Sequence, residues 1–150
     1  MTGPGPEEKA ELTELTLAMI KPDAMAAGYA GKIIAHLEDE GFRIVALKKI
    51  RVSRTMAEEF YGEHLGKPFF KDLVEFVTSA PVIALALEAD NAVARLRQVI
   101  GATDPAEAEE GTVRALYAES KQRNAIHASD SPASAGRELN FFFSRSDLIV

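Results

Sequence analysis

A chain of 150 residues, 47% of them hydrophobic and 27% charged, has room for one globular domain with a real core and is too apolar to be disordered throughout. Its formal net charge of -6 disfavours a sequence-independent grip on nucleic acid or an anionic membrane, although a local basic pocket can still hold one small polyanion. The lack of cysteine removes disulfides, thiolate nucleophiles and thiolate metal sites together. No apolar run approaches the roughly 20 residues that span a bilayer. The opening Met-Thr-Gly-Pro-Gly-Pro lacks the basic start and apolar stretch of a secretion signal, so a cytoplasmic protein is expected.

Residues 1–13 read as a polar tail and 14–150 as a single domain. Leu15, Leu17 and Met19 alternate with Thr16 and Ala18, a strand that ends at Ile20-Lys21-Pro22-Asp23. Gly28-Tyr-Ala-Gly31-Lys32 is a turn into a helix rather than a phosphate loop: its glycines are too close, and Ile33 stands where a Walker motif needs Ser or Thr. That helix carries Ile33, Ile34 and Leu37 on one face, includes His36 as a solvated residue, and stops at Gly41. Phe42 to Val52 reads as a second strand. Thr55 and Glu58 suggest a capping box for a helix with Met56, Phe60 and Tyr61, and another helix from Pro68 buries Phe70, Leu73, Val74 and Val77.

Pro81 to Leu87 has strand length, and a helix follows from about Asn91 to Ile100 with Gly101 as its C-terminal cap. Residues 101–123 show little periodicity and read as a long structured loop around one short helix, Thr112 to Ala118; loops of this length tend to be functional. A last strand at about Asn124 to Ala128 and a helix from Ser131 to Phe142 complete the order. That order predicts an α+β fold, a ferredoxin-like split βαβ sandwich with a four-stranded antiparallel sheet covered on one face by helices.

His127 lies between the last apolar run and a helix start, where Ser131-Pro132 pairs an N-cap residue with proline at the first helical position. Unpaired backbone N–H groups and the positive end of a helix dipole make that junction suited to an anion such as phosphate. Two readings of His127 follow: a buried, hydrogen-bonded core histidine, or a nucleophile that accepts a phosphoryl group and passes it on.

Four separated stretches now bear on that choice: Ile20-Lys21-Pro22-Asp23, Lys67-Pro68-Phe69-Phe70, Gly111-Thr112-Val113-Arg114 and Asn124-Ala-Ile-His127-Ala-Ser-Asp-Ser. Together, over roughly residues 14 to 145, they make the chain resemble a nucleoside diphosphate kinase. The resemblance implies transfer of the γ-phosphoryl of a nucleoside triphosphate, mainly ATP, to nucleoside diphosphates through a phosphohistidine. It also implies Mg²⁺ as cofactor and a homo-oligomer built from dimers, as a hexamer or a tetramer. Two positions depart from the family pattern. Ala128 stands where glycine is usual, and Leu116 where an acidic residue often follows the loop arginine.

The resemblance implies that Arg97, Thr103 and Arg114 hold phosphates, while Lys21 and Asn124 reach the ribose hydroxyls and the reacting end. Arginine suits this work because its planar fork matches phosphate oxygens. Glu138 matches the carboxylate that orients the ring of His127, with Ser129 nearby; the alternative for Glu138 is an exposed helix charge. Phe69 matches the aromatic on which a base stacks, with Leu73 beside it, whereas spacing alone puts both on a helix's core stripe. Tyr61 and His64 match positions near the phosphates. No dedicated metal cage is expected, since phosphate oxygens and water can fill most of a Mg²⁺ shell, with Asp130 either touching it through water or capping the helix at Ser131. Two other classes stay open at this level: a nucleotide-binding module without transfer, and an interaction domain unrelated to nucleotides.

Overall fold

β1 (Thr13–Ile20) turns alternate side chains into two different apolar layers, and the rest of the chain is arranged around it. The computed structural model describes residues 13–149, so the expected polar tail lies outside it except for Thr13, which already opens the strand. β1 pairs antiparallel with β3 (Val82–Asp90) on one side and β4 (Ile126–Ala128) on the other, and β2 (Arg43–Ile50) pairs antiparallel with β3. The sheet order is β2-β3-β1-β4, the split βαβ arrangement of a ferredoxin-like fold.

Helices cover both faces of this sheet, not one as the sequence suggested. Ala18 and Ile20 of β1, with Leu85 and Leu87 of β3, pack against α2 (Ala30–Asp39), α5 (Ala92–Ile100) and α6 (Val113–Tyr117) through Ile33, Leu37, Leu96, Ile100 and Val113. Leu17 and Met19, with Ala84 and Ala86, pack on the opposite face against α3 (Arg54–Phe60), α4 (Phe70–Val77) and α7 (Pro132–Phe142). Val82 to Leu87 is apolar at every position because both of its faces are covered. Among the described residues no helix is long and apolar enough to cross a membrane.

Local rules explain most boundaries, and one was misjudged. The cap of α3 is Ser53, whose hydroxyl accepts from the Met56 N–H at 3.2 Å, rather than a Thr55–Glu58 box. Serine stands in extended backbone one residue before the first helical turn, which is where a cap must lie. Phe70 and Leu73 are half-buried against the core, while Val74 and Val77 are fully inside. A short helix α1 (Pro22–Ala26), absent from the sequence reading, follows β1 directly with Pro22 in its first turn.

Gly101 ends α5 at φ 89°, and a Cβ built there would stand 2.5 Å from the Thr112 hydroxyl and 2.8 Å from its Cβ. Gly111, also at positive φ (87°), faces open space. Gly101→Ala should therefore lower stability more than Gly111→Ala, the latter by about 1 kcal/mol for its backbone alone. Denaturant unfolding of the two variants against the wild type makes the comparison.

Candidate active site

Three residues of β4 and the helix that follows build the centre. Ile126 and Ala128 point into the core, and the two-residue period of a strand turns His127, opposite Met19 of β1, the other way. Ala128 is buried and lies in this strand without positive φ, so the residue that departs from the family's glycine carries no backbone strain. Ser131 caps α7 by accepting from the Ser134 N–H at 3.1 Å, and Pro132 starts the helix. Two turns on, Glu138 faces inward and is 3% exposed.

The Glu138 carboxylate meets the imidazole directly. Its Oε1 lies 2.7 Å from His127 Nε2 and accepts from the Ser129 hydroxyl at 2.8 Å, while Arg137 lies 3.5 Å from Oε2. Burial by itself would push the Glu138 carboxyl up, but the hydrogen bond and charge of His127, the Ser129 hydroxyl and Arg137 together hold it below the usual range. An ionised carboxylate only accepts, so Nε2 must carry a proton whether or not the ring is charged, and whenever the ring is neutral it is Nδ1 that keeps the lone pair. The Phe60 ring meets the imidazole edge-on with centroids 5.3 Å apart and limits its tilt.

Cations converge on the same cavity of about 370 Å³, which is lined by Lys21, Tyr61, Leu73, Arg97, Thr103, Arg114, Asn124 and His127. Arg114 is buried, donates to the carbonyls of Gly101 at 3.0 Å and Ile126 at 2.8 Å, and leaves its Nε without a partner. Burial and the neighbouring Arg97 pull its guanidinium down to about 10. Arg97 is exposed and donates to the Ala128 carbonyl at 3.1 Å. Lys21 is buried, and its ammonium donates to Asn124 Oδ1 at 2.9 Å and the Gln122 carbonyl at 3.0 Å. Burial lowers it to about 8, with Asp23 pulling it up and Arg114 pushing it down. Among the described residues, none of these three cations has a carboxylate within 4.0 Å. Such a cluster is relieved by an anion from outside.

Tyr61 lines the cavity as a protonated phenol, its hydroxyl pushed up by burial and by the charge of Glu138. Thr103 is exposed at the start of the long loop, where its carbonyl accepts from the Asn124 amide at 3.3 Å. Phe69 is not part of the lining; its ring, 47% exposed, stands outside with its centroid 5.4 Å from that of His64, which is. Asp130 lines the cavity, and Ser134 hydrogen-bonds its carboxyl and holds it below the ordinary range. His36 is half-buried on α2, away from this lining. Leu116 is exposed on α6. An adjoining cavity of about 660 Å³ shares Arg97 and Thr103 but has no histidine and is lined by Glu107 and Glu109.

Sequence reasoning missed four contributors, one of them Arg137 beside the Glu138 carboxylate. Glu63 lines the cavity near His64, Phe60 braces the ring, and Asp23 accepts from the Ala125 N–H at 2.9 Å. Only Asp23 had a signal, since it belongs to the Lys21-Pro22-Asp23 motif.

The model of the family described as "Nucleoside diphosphate kinase" matches residues 14–148. The chain belongs to the nucleoside diphosphate kinase family. A nucleoside diphosphate kinase from Pelotomaculum thermopropionicum is 53% identical over 136 residues, which cover 91% of each chain. The solved nucleoside diphosphate kinase of Aquifex aeolicus superposes with a TM-score of 0.90 at 46% identity, over 91% of this chain and 99% of that one. The halophilic nucleoside diphosphate kinase of Halobacterium salinarum, solved in complex with CDP, gives 0.88 at 40% identity over 91% of each chain. As a member of this kinase family the protein is a nucleotide phosphotransferase.

The Lys21 environment has a measurable signature. An NMR titration should place its ammonium near pH 8, where exposed lysines stay charged to about 10.5. Because the unfolded chain binds the Lys21 proton more tightly, the stability of the wild type relative to Lys21→Met should rise between those two pH values and stay level below them.

Proposed function

We propose that His127 is the phosphoryl acceptor and donor of this kinase. In the first half-reaction Nδ1 attacks the γ-phosphorus of a nucleoside triphosphate, chiefly ATP. The P–N bond forms as the bond to the leaving diphosphate breaks. The diphosphate departs, a second nucleoside diphosphate enters, and its terminal oxygen takes the phosphoryl back from Nδ1. No external base is needed, because the attacking nitrogen carries no proton.

The observation that carries this reading is the 2.7 Å contact of Nε2 with a buried, ionised Glu138. It fixes the tautomer and aims the opposite nitrogen, and it favours the phosphorylated ring, whose Nε2–H must still be held. Phosphoryl transfer asks mainly for position and charge. Arg97 and Arg114 supply planar donors for the phosphates, with the Thr103 hydroxyl beside them, and Lys21, Asn124 and Tyr61 reach the ribose hydroxyls and the reacting end. The exposed ring of Phe69, with Leu73 behind it, offers a π face to any base, so purines and pyrimidines are both accepted.

The donor set suits Mg²⁺ as an ion held chiefly by phosphate. Asp130 and Glu63 give hard oxygens along the cavity, and among the described residues no group of three or more His, Cys, Asp or Glu forms a cage. Asp130 and Glu63 would hold it through water, and when bound it offsets the charge of the polyphosphate. The reading includes a homo-oligomer built from dimers, hexamer or tetramer, working in the cytoplasm; light scattering distinguishes the assemblies.

Incubation with γ-labelled ATP tests the proposal. The wild type should acquire label that is lost in acid and kept in base, and His127→Ala should acquire none. Label that survives the substitution would place the nucleophile elsewhere, and an unlabelled wild type would leave binding without transfer. Glu138→Gln should still label, with its rate reduced by about 10²-fold because the ring is no longer held in place.

A further inference from the structure

Asp23 is a buried acid outside the nucleotide cavity, 7% exposed, at the second position of α1. Its Oδ2 accepts the Ala125 N–H at 2.9 Å, and the Lys21 N–H donates to the Ala125 carbonyl at the same distance. Both backbone groups of Ala125 are thus held by the Lys21–Asp23 segment. The residue so clamped has φ 74°, which a side chain other than glycine rarely adopts. The Ile126 N–H also bonds back to the Asn124 carbonyl at 2.9 Å. A two-residue hydrogen bond around a central residue of positive φ is the classic γ-turn, the rare and strained form. Such a turn persists only where its surroundings over-determine it. It separates Asn124, whose amide oxygen holds the Lys21 ammonium, from His127, two residues beyond its centre.

Building on the phosphohistidine reading, we propose that Asp23 is a positioning residue for phosphoryl transfer: its carboxylate holds the strained turn at Ala125 and through it sets Lys21, Asn124 and His127 against the phosphates. The charge of Asp23 has a second effect. Lys21 shares its cavity with Arg97, Arg114, His64 and His127, with Glu63 and Asp130 along the same lining, and meets Arg123 across the Phe76 ring. Against burial and Arg114, Asp23 is the acid that raises the proton affinity of Lys21.

Asp23→Asn keeps the shape and an acceptor but drops the charge, and Asp23→Ala removes both. The rate of His127 phosphorylation at saturating ATP should fall about tenfold in Asp23→Asn and further in Asp23→Ala, with the half-saturating ATP concentration changed less than about threefold. The alkaline loss of activity in Asp23→Asn should shift to lower pH. Adding Ala125→Gly to Asp23→Ala should restore part of the rate, because glycine holds positive φ without strain. If the alanine variant does not fold, Asp23→Asn still gives the rate and the pH profile. A loss of thermal stability with an unchanged rate and alkaline limb would make Asp23 merely structural, as would a glycine rescue of stability without rate. Failure of the wild type itself to label would instead overturn the phosphohistidine reading.

Discussion

A carboxylate buried behind an imidazole is the constraint on which the rest of this molecule depends. Glu138 could not stay ionised at its depth without partners, and it has three: hydrogen bonds from the His127 ring and the Ser129 hydroxyl, and the charge of the Arg137 guanidinium. Each comes from a different feature of the chain. β4 aims the ring, the turn after it places Ser129, and α7, started by Ser131 and Pro132, brings Glu138 round to face both. Losing any one of them would leave a buried charge short of a partner, so local structure and chemistry are coupled here.

The cavity in front of the ring carries the opposite imbalance. Lys21 and Arg114 are buried cations whose proton affinities are pulled down, and their close partners are carbonyls and an amide. Dipoles can orient such groups but cannot neutralise them. On the proposed reading a polyphosphate would supply the missing negative charge, and beside buried cations its attraction is stronger than in bulk water. The same burial that costs folding free energy leaves Lys21 and Arg114 held in place by carbonyls and an amide with their charge unopposed.

Much of this was legible in the sequence, for identifiable reasons. Alternation in β1, the Ser131-Pro132 start of α7 and the glycine after α5 are short-range signals, and the structure follows them. The second helical layer is not legible because the apolar run Val82 to Leu87 has strand length but no period that tells one covered face from two. Thr55 and Glu58 imitate a capping box two residues after the true cap, Ser53, so the pattern alone points to the wrong residue. At the site, the family resemblance singles out His127, Glu138 and the cations, and their convergence is a tertiary fact that no spacing contains. The γ-turn was beyond reach: alanine gives no sign of positive φ, and the acid that clamps it lies 102 residues away in sequence. Phe69 precedes α4 and its exposed ring stands beside His64 rather than in the cavity lining, a placement that its motif does not specify.

The central claim is that Glu138 holds Nε2 and thereby hands the chemistry to Nδ1. NMR of the phosphoenzyme, with the imidazole nitrogens labelled, reads the phosphorylated atom directly through its coupling to phosphorus. The account predicts phosphate on Nδ1 and a protonated Nε2 still hydrogen-bonded to Glu138; phosphate on Nε2 would contradict it.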